Sequence, residues 1–243
     1  MGAAFLAPFV NRIRGHYLPA TREIETQVAT TTVRLPANGG GNGPGATKYA
    51  IHGFGGRWPS SLHFDFSIWL TSETFSAVLT ATNTGSKPAP VGLGWHPYFN
   101  LPSGIRAQAR MRLPASARLP VNNYDEVLPN GDVALVEGTA YDFRAAGGRE
   151  LGTLYLDDCF VDLAKGSGGE TVCDVIDPAA GYGLRIVSES PEITAIQTFA
   201  PPDRALVVMN LSLAGRIPMA PSGQLALRLG WCCCSPEVPQ HTV

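Results

Sequence analysis

No stretch of this 243-residue chain carries an apolar stripe at the 3.6-residue helical spacing over three turns. Short apolar runs recur instead, roughly every ten to fifteen residues, bounded by Gly, Pro, Asn or Asp. Phe64–Leu70 reads Phe-Asp-Phe-Ser-Ile-Trp-Leu, apolar at every second place. Ser76–Thr82, Gly183–Ser188, Thr194–Phe199, Leu206–Leu211 and Gln224–Trp231 are similar, and Glu25–Leu35 alternates in part. A period of two places one face of a strand on a core and the other in solvent. With 27 Gly and 20 Pro to supply turns, the pattern predicts an all-β antiparallel sandwich or barrel with little helix. Gly147–Arg149 and Lys165–Glu170 read as hairpin tips, and Ala37–Thr47 as a flexible Gly/Asn-rich loop. No linker divides the chain, so residues 1–234 are expected to form one domain, with 235–243 a loose tail.

Charge and cysteine usage narrow the function classes. The net charge is −2 and no Lys/Arg block occurs, which argues against nucleic acid or an anionic membrane as partner. No apolar run reaches the length of a membrane helix, and the first residues do not read as a signal peptide. Cys159, Cys173 and the run Cys232–Cys234 form neither a disulfide framework nor paired CxxC motifs. A cytoplasmic protein without metal or other cofactor is expected.

Four short segments carry chemistry. In Gly92-Leu-Gly-Trp-His-Pro-Tyr-Phe-Asn-Leu101, His96 lies among Trp95, Tyr98 and Phe99, and Pro97 holds its backbone extended. Aromatic faces suit sugars, and an imidazole there suits proton transfer near neutral pH; the alternative is a core histidine. In Ala50-Ile-His-Gly-Phe54, Gly53 permits close approach to His52, with Trp58 shortly after. Pro8-Phe-Val-Asn-Arg-Ile13 sets Asn11 and Arg12 between apolar residues, as hydroxyl donors or as a structural ion pair. In Leu156-Asp-Asp-Cys-Phe160, a strand would send Asp157 and Asp158 to opposite faces; a turn or solvated edge is the alternative.

These segments, in this order, resemble the aldose 1-epimerase (galactose mutarotase) family: Asn-Arg-Ile, His-Gly, Gly-x-His-Pro-Tyr-Phe and Asp-x-x-Phe. Thr82–Gly85, Tyr141–Arg144, Gln197–Pro202 and Pro221–Gln224 extend the likeness along nearly the whole chain. The resemblance implies a large antiparallel β-sandwich binding a free sugar and interconverting its α and β anomers without a cofactor. By the same resemblance, His96 is the acid at the ring oxygen and His52 assists it. Arg12, Asn11, Asp157, Trp58 and Tyr98 would bind the sugar, and a late glutamate would accept the O1 proton.

The chain departs from that pattern at the glutamate. After Arg204-Ala-Leu-Val-Val-Met, the matching position is Asn210, and an amide does not accept a proton as a carboxylate does. Glu189 and Glu192 do not occupy that position. Relative to the family pattern, three segments are short: the opening strands, the stretch between His52 and Asn83, and the stretch between Asn210 and Pro221. Two further readings therefore stand beside the isomerase: a carbohydrate-binding protein that has lost its base, and an enzyme turned to another cyclic hemiacetal or carbonyl substrate. Lost strands would also bare a sheet edge, through which a homodimer could form.

Overall fold

The structure, a computed structural model, describes residues 3–28, 31–40, 47–51, 58–214 and 219–234. Two seven-stranded sheets face one another. The first runs, edge to edge, Ala3–Leu6, Gly92–Asn100, Leu206–Ala214, Ile193–Ala200, Leu156–Leu163, Ala115–Leu119 and Ala134–Leu135. The second runs Arg149–Glu150, Arg110–Arg112, Thr171–Asp177, Tyr182–Ser188, Gln224–Cys234, Thr74–Asn83 and Leu62–Leu70. Every strand pairing is antiparallel. Helix among the described residues is confined to two single 3₁₀ turns, Arg106–Gln108 and Pro178–Ala180. None is long and apolar enough to cross a membrane.

The inward residues of both sheets form one apolar core that includes Trp95, Met111, Phe143, Phe160, Leu184 and Ile196. Phe75 and Trp95 stack across it at 5.5 Å between ring centroids. A smaller three-stranded sheet, His16–Leu18, Glu23–Val28 and Thr31–Pro36, has its own cluster of Phe9, Ile24, Val33, Leu35 and Ala50.

Two local expectations are corrected. Glu25–Leu35 is not one strand but falls in two strands that pair antiparallel, Glu23–Val28 and Thr31–Pro36, with Glu25 opposite Arg34 and Val28 opposite Thr31. Lys165–Glu170 is not a hairpin tip: it leads from Leu156–Leu163 in the first sheet to Thr171–Asp177 in the second. Gly166 N donates to Glu170 O at 2.8 Å, closing that corner, and Gly169 takes a φ of +85°. Residues 41–46 of the expected flexible loop, and the expected tail 235–243, lie outside the described residues.

Candidate functional site

The face of the first sheet turned away from the core carries the candidate site. Along Gly92–Asn100, Leu93 and Trp95 point into the core, so Gly94, His96 and Tyr98 point outward. On the next strand Val207, Met209 and Leu211 fill the core, leaving Val208, Asn210 and Ser212 outward. Val208 pairs with Tyr98 and Leu211 with Trp95, so the register sets Asn210 opposite His96. Gln197 pairs with Asn210 on the following strand, and Cys159 with Gln197 on the one after. A polar row therefore runs His96, Asn210, Gln197. Beside it runs a second row, Tyr98, Val208, Phe199 and Asp157. His96 and Gln197 lie two strand spacings apart, about 10 Å at the backbone.

Hydrogen bonds tie the rows together. Gln197 Nε2 donates to Asp157 Oδ1 at 2.8 Å. The His96 and Tyr98 rings lie 5.1 Å apart. Tyr155 meets Phe199 edge-on at 6.4 Å and Tyr124 at 4.9 Å, extending the aromatic wall past Asp157. Burial lowers the His96 pKa from its usual value, against a smaller opposing backbone hydrogen bond. Burial also raises the Asp157 carboxyl to about 6, opposed by the nearby Arg12 charge and the Gln197 bond. At pH 7 the imidazole is thus mostly neutral and the carboxyl mostly ionised.

The segment Pro8–Arg12 lies against this face as a strap. Gly92 N donates to Pro8 O at 2.6 Å. A Cβ on Gly94 would stand 2.5 Å from Val10 Cγ1 and 3.2 Å from Asn210 Oδ1, so only glycine lets the strap approach here. Asn11 takes a φ of +146°, and its Oδ1 accepts the Arg12 backbone N–H at 2.9 Å. Arg12 lies 5.4 Å from the Tyr49 ring centroid and donates to Glu126 O. Beneath the strap, Asn210 is only 2% exposed, with Ser212 Oγ 3.4 Å from its Oδ1.

The structure brings His96, Tyr98, Asn210 and Asp157 onto one face, with Asn11 and Arg12 in the strap. His52 lies outside the described residues. Trp58 stacks on Phe9 of the strap at 5.8 Å, and its Nε1 donates to Pro90 O at 2.6 Å. Its polar handle is thus committed to packing the strap. Asp158 points the opposite way from Asp157, buried and paired with Arg118 Nη1 at 2.8 Å and Tyr124 OH at 3.1 Å. Arg118 in turn lies 3.9 Å over the Tyr141 ring. Among the described residues no three His, Cys, Asp or Glu side chains gather as a metal site.

Gln197 and Phe199 share this face although no motif of the sequence marks them as site residues. The available signal was their position two apart on one alternating strand, which puts both on the same face as their neighbours Asn210 and Val208.

A family model described as aldose 1-epimerase matches residues 1–201. The chain belongs to the aldose 1-epimerase family. Among curated proteins, the uncharacterized protein YphB of Escherichia coli K12 is 30% identical over 127 residues. That match takes in 43% of this chain and 39% of YphB's own length. Among solved structures, a protein from Escherichia coli K12 superposes with a TM-score of 0.68 at 18% identity, over 96% of this chain and 84% of the other. A galactose mutarotase-like protein from Clostridium acetobutylicum gives 0.67 at 13%, over 96% and 79%. Galactose 1-epimerase from Lactobacillus acidophilus gives 0.57 at 16%, over 96% and 79%. At these identities the structural likeness speaks for the fold, and the expected mutarotase-like β-sandwich is the fold found.

Proposed function

We propose that this aldose 1-epimerase family member binds a free hexose or related sugar over the His96–Asn210–Gln197 row and interconverts its anomers slowly, by acid-assisted ring opening. The observation that carries the reading is the pairing of His96 with Asn210 on one face, flanked by the Gln197–Asp157 hydrogen bond. Opening a cyclic hemiacetal requires a proton to leave O1 and another to reach O5. His96, in its protonated fraction, delivers the O5 proton. Asp157 and Arg12 accept from and donate to sugar hydroxyls, and Tyr98 and Phe199 offer apolar faces to the ring.

Asn210, only 2% exposed beneath the strap, supplies no basicity, so water takes the O1 proton. A positioned general base contributes about a hundred- to ten-thousandfold, which sets the expected deficit against a member of the family that has one. That same amide favours a second reading, a carbohydrate-binding protein without turnover.

The test is proton NMR of the anomeric signals of freshly dissolved α-galactose and α-glucose with the purified protein. Equilibration faster than buffer alone supports the isomerase. Saturable binding at the buffer rate supports the second reading. Neither binding nor rate removes both.

A further inference from the structure

The strand Leu62–Leu70 closes one end of the second sheet and pairs only with Thr74–Asn83 among the described residues. Its other side is a row of main-chain groups with no pairing among the described residues. Free edges are normally blunted by Pro, Lys, bulges or short length. This edge spans nine residues, contains no Pro, Lys or Arg, and keeps an unbroken register from Leu62↔Asn83 to Leu70↔Phe75. Phe64, Phe66, Ile68, Trp69 and Leu70 along it are 38% to 71% exposed. On the core side the edge strand of the opposite sheet reaches it through Phe5, whose ring lies 4.1 Å from that of Phe66.

We propose that this edge pairs with the same strand of a second copy, antiparallel about a two-fold axis at Phe66, to form a continuous sheet across a homodimer. The sequence Leu-His-Phe-Asp-Phe-Ser-Ile-Trp-Leu is symmetric in character about that centre. A two-fold there sets Leu62 against Leu70, Phe64 against Ile68 and Phe66 against itself, apolar on apolar along one face. On the other face Asp65 meets Ser67 and His63 meets Trp69. Shifting the axis to Asp65 would oppose that carboxylate to its own copy, which disfavours the neighbouring register. An isologous two-fold contact also ends the edge instead of propagating it into a fibre. A Phe or Trp side chain carries roughly 150–250 Å², so the exposed fractions leave on the order of 500 Å² of apolar surface per protomer. A stable interface takes about 800 Å² per partner, and the main-chain edge supplies much of the remainder.

The register is tested through Ser67, which is exposed in the protomer. Sedimentation velocity on the full chain from about 1 to 100 µM should show a dimer. Ser67→Asp places a carboxylate opposite Asp65 of the other copy twice per dimer, and should raise the dissociation constant about tenfold or more. Ser67→Lys faces the same Asp65 and should bind at least as tightly as the wild type. The double variant Asp65→Lys/Ser67→Asp should restore the dimer. Thermal melts by circular dichroism confirm that each protomer folds. A wild type that stays monomeric throughout this range overturns the proposal, as does a dimer indifferent to Ser67→Asp. Equal weakening by Ser67→Asp and Ser67→Lys overturns the register.

Discussion

Asn210 lies directly across the strand pair from His96, both turned to the outer face of the first sheet, with Gln197 next in the row. Acid and base must both reach the same anomeric centre, so adjacent strands are a suitable origin for them. Here one position holds an imidazole and the other an amide. The His96→Asn variant removes the remaining proton donor. Its excess rate over buffer should fall by about a hundredfold, in effect to the uncatalysed rate. Galactose binding measured by ligand-observed NMR should persist, because the hydroxyl contacts lie elsewhere. An unchanged rate would take His96 out of the mechanism.

Asp157 should penalise stability at high pH. Burial raises its carboxyl from the ordinary value of 3.8 to about 6. A raised pKa means the folded state favours the protonated form. That contribution is complete below about pH 4 and is lost as pH rises through about 6. Asp157→Asn removes the charge and keeps an oxygen for the Gln197 Nε2 donor. It should stabilise the protein by about 1–2 kcal/mol at pH 8 and leave it unchanged near pH 4, measured by urea unfolding. Sugar affinity should drop at the same time. A variant destabilised at pH 8 would show that the ionised carboxylate is well compensated.

Gly94 sets the distance between strap and sheet. In Gly94→Ala the new methyl would lie 2.5 Å from Val10 Cγ1 and push Pro8–Arg12 away. Stability should fall by about 1–3 kcal/mol, with weakened sugar binding. Val10→Ala in the same chain should recover most of both. If the second change recovers neither, the strap does not wall the site.

The alternation of Phe64–Leu70 and Gln224–Trp231, with turns between strands, was enough to read the sandwich, because period two leaves little choice once both faces of a core must be filled. Alternation assigns opposite faces to Asp157 and Asp158 once Leu156–Leu163 is a strand, but the sequence alone leaves a turn or solvated edge open there. Cross-strand neighbours were not legible, since pairing order is set by packing across the whole sheet. Thus the Gln197–Pro202 likeness does not mark Gln197 as the partner of Asp157, although the two are bonded. Trp58 is expected to bind the sugar, and local sequence does not show that its N–H bonds to Pro90 O. Lys165–Glu170 has the composition of a hairpin tip, yet turn residues do not reveal whether the next strand stays in the same sheet.

Arg106 was equally hidden. It is buried with no carboxylate partner among the described residues, and its guanidinium donates to the carbonyls of Leu151, Gly152, Leu154 and Ala200. It thereby ties the end of Ile193–Ala200 to the turn before Leu156. Arg106→Met strands these acceptors and should cost about 3–5 kcal/mol in urea unfolding. Arg149→Met, at an exposed position, should stay within about 0.5 kcal/mol. Similar losses in both would contradict the role given to Arg106.

The most direct measurement compares anomer equilibration of fresh α-galactose by the wild type and by Asn210→Glu, with Val10→Ala added to make room for the longer side chain beneath the strap. The carboxylate should raise the excess rate by about a hundredfold or more over a slow but sugar-binding wild type. A wild type with a fast rate that does not respond to Asn210→Asp, Asn210→Ala or the glutamate would contradict it, and would place the base at another residue.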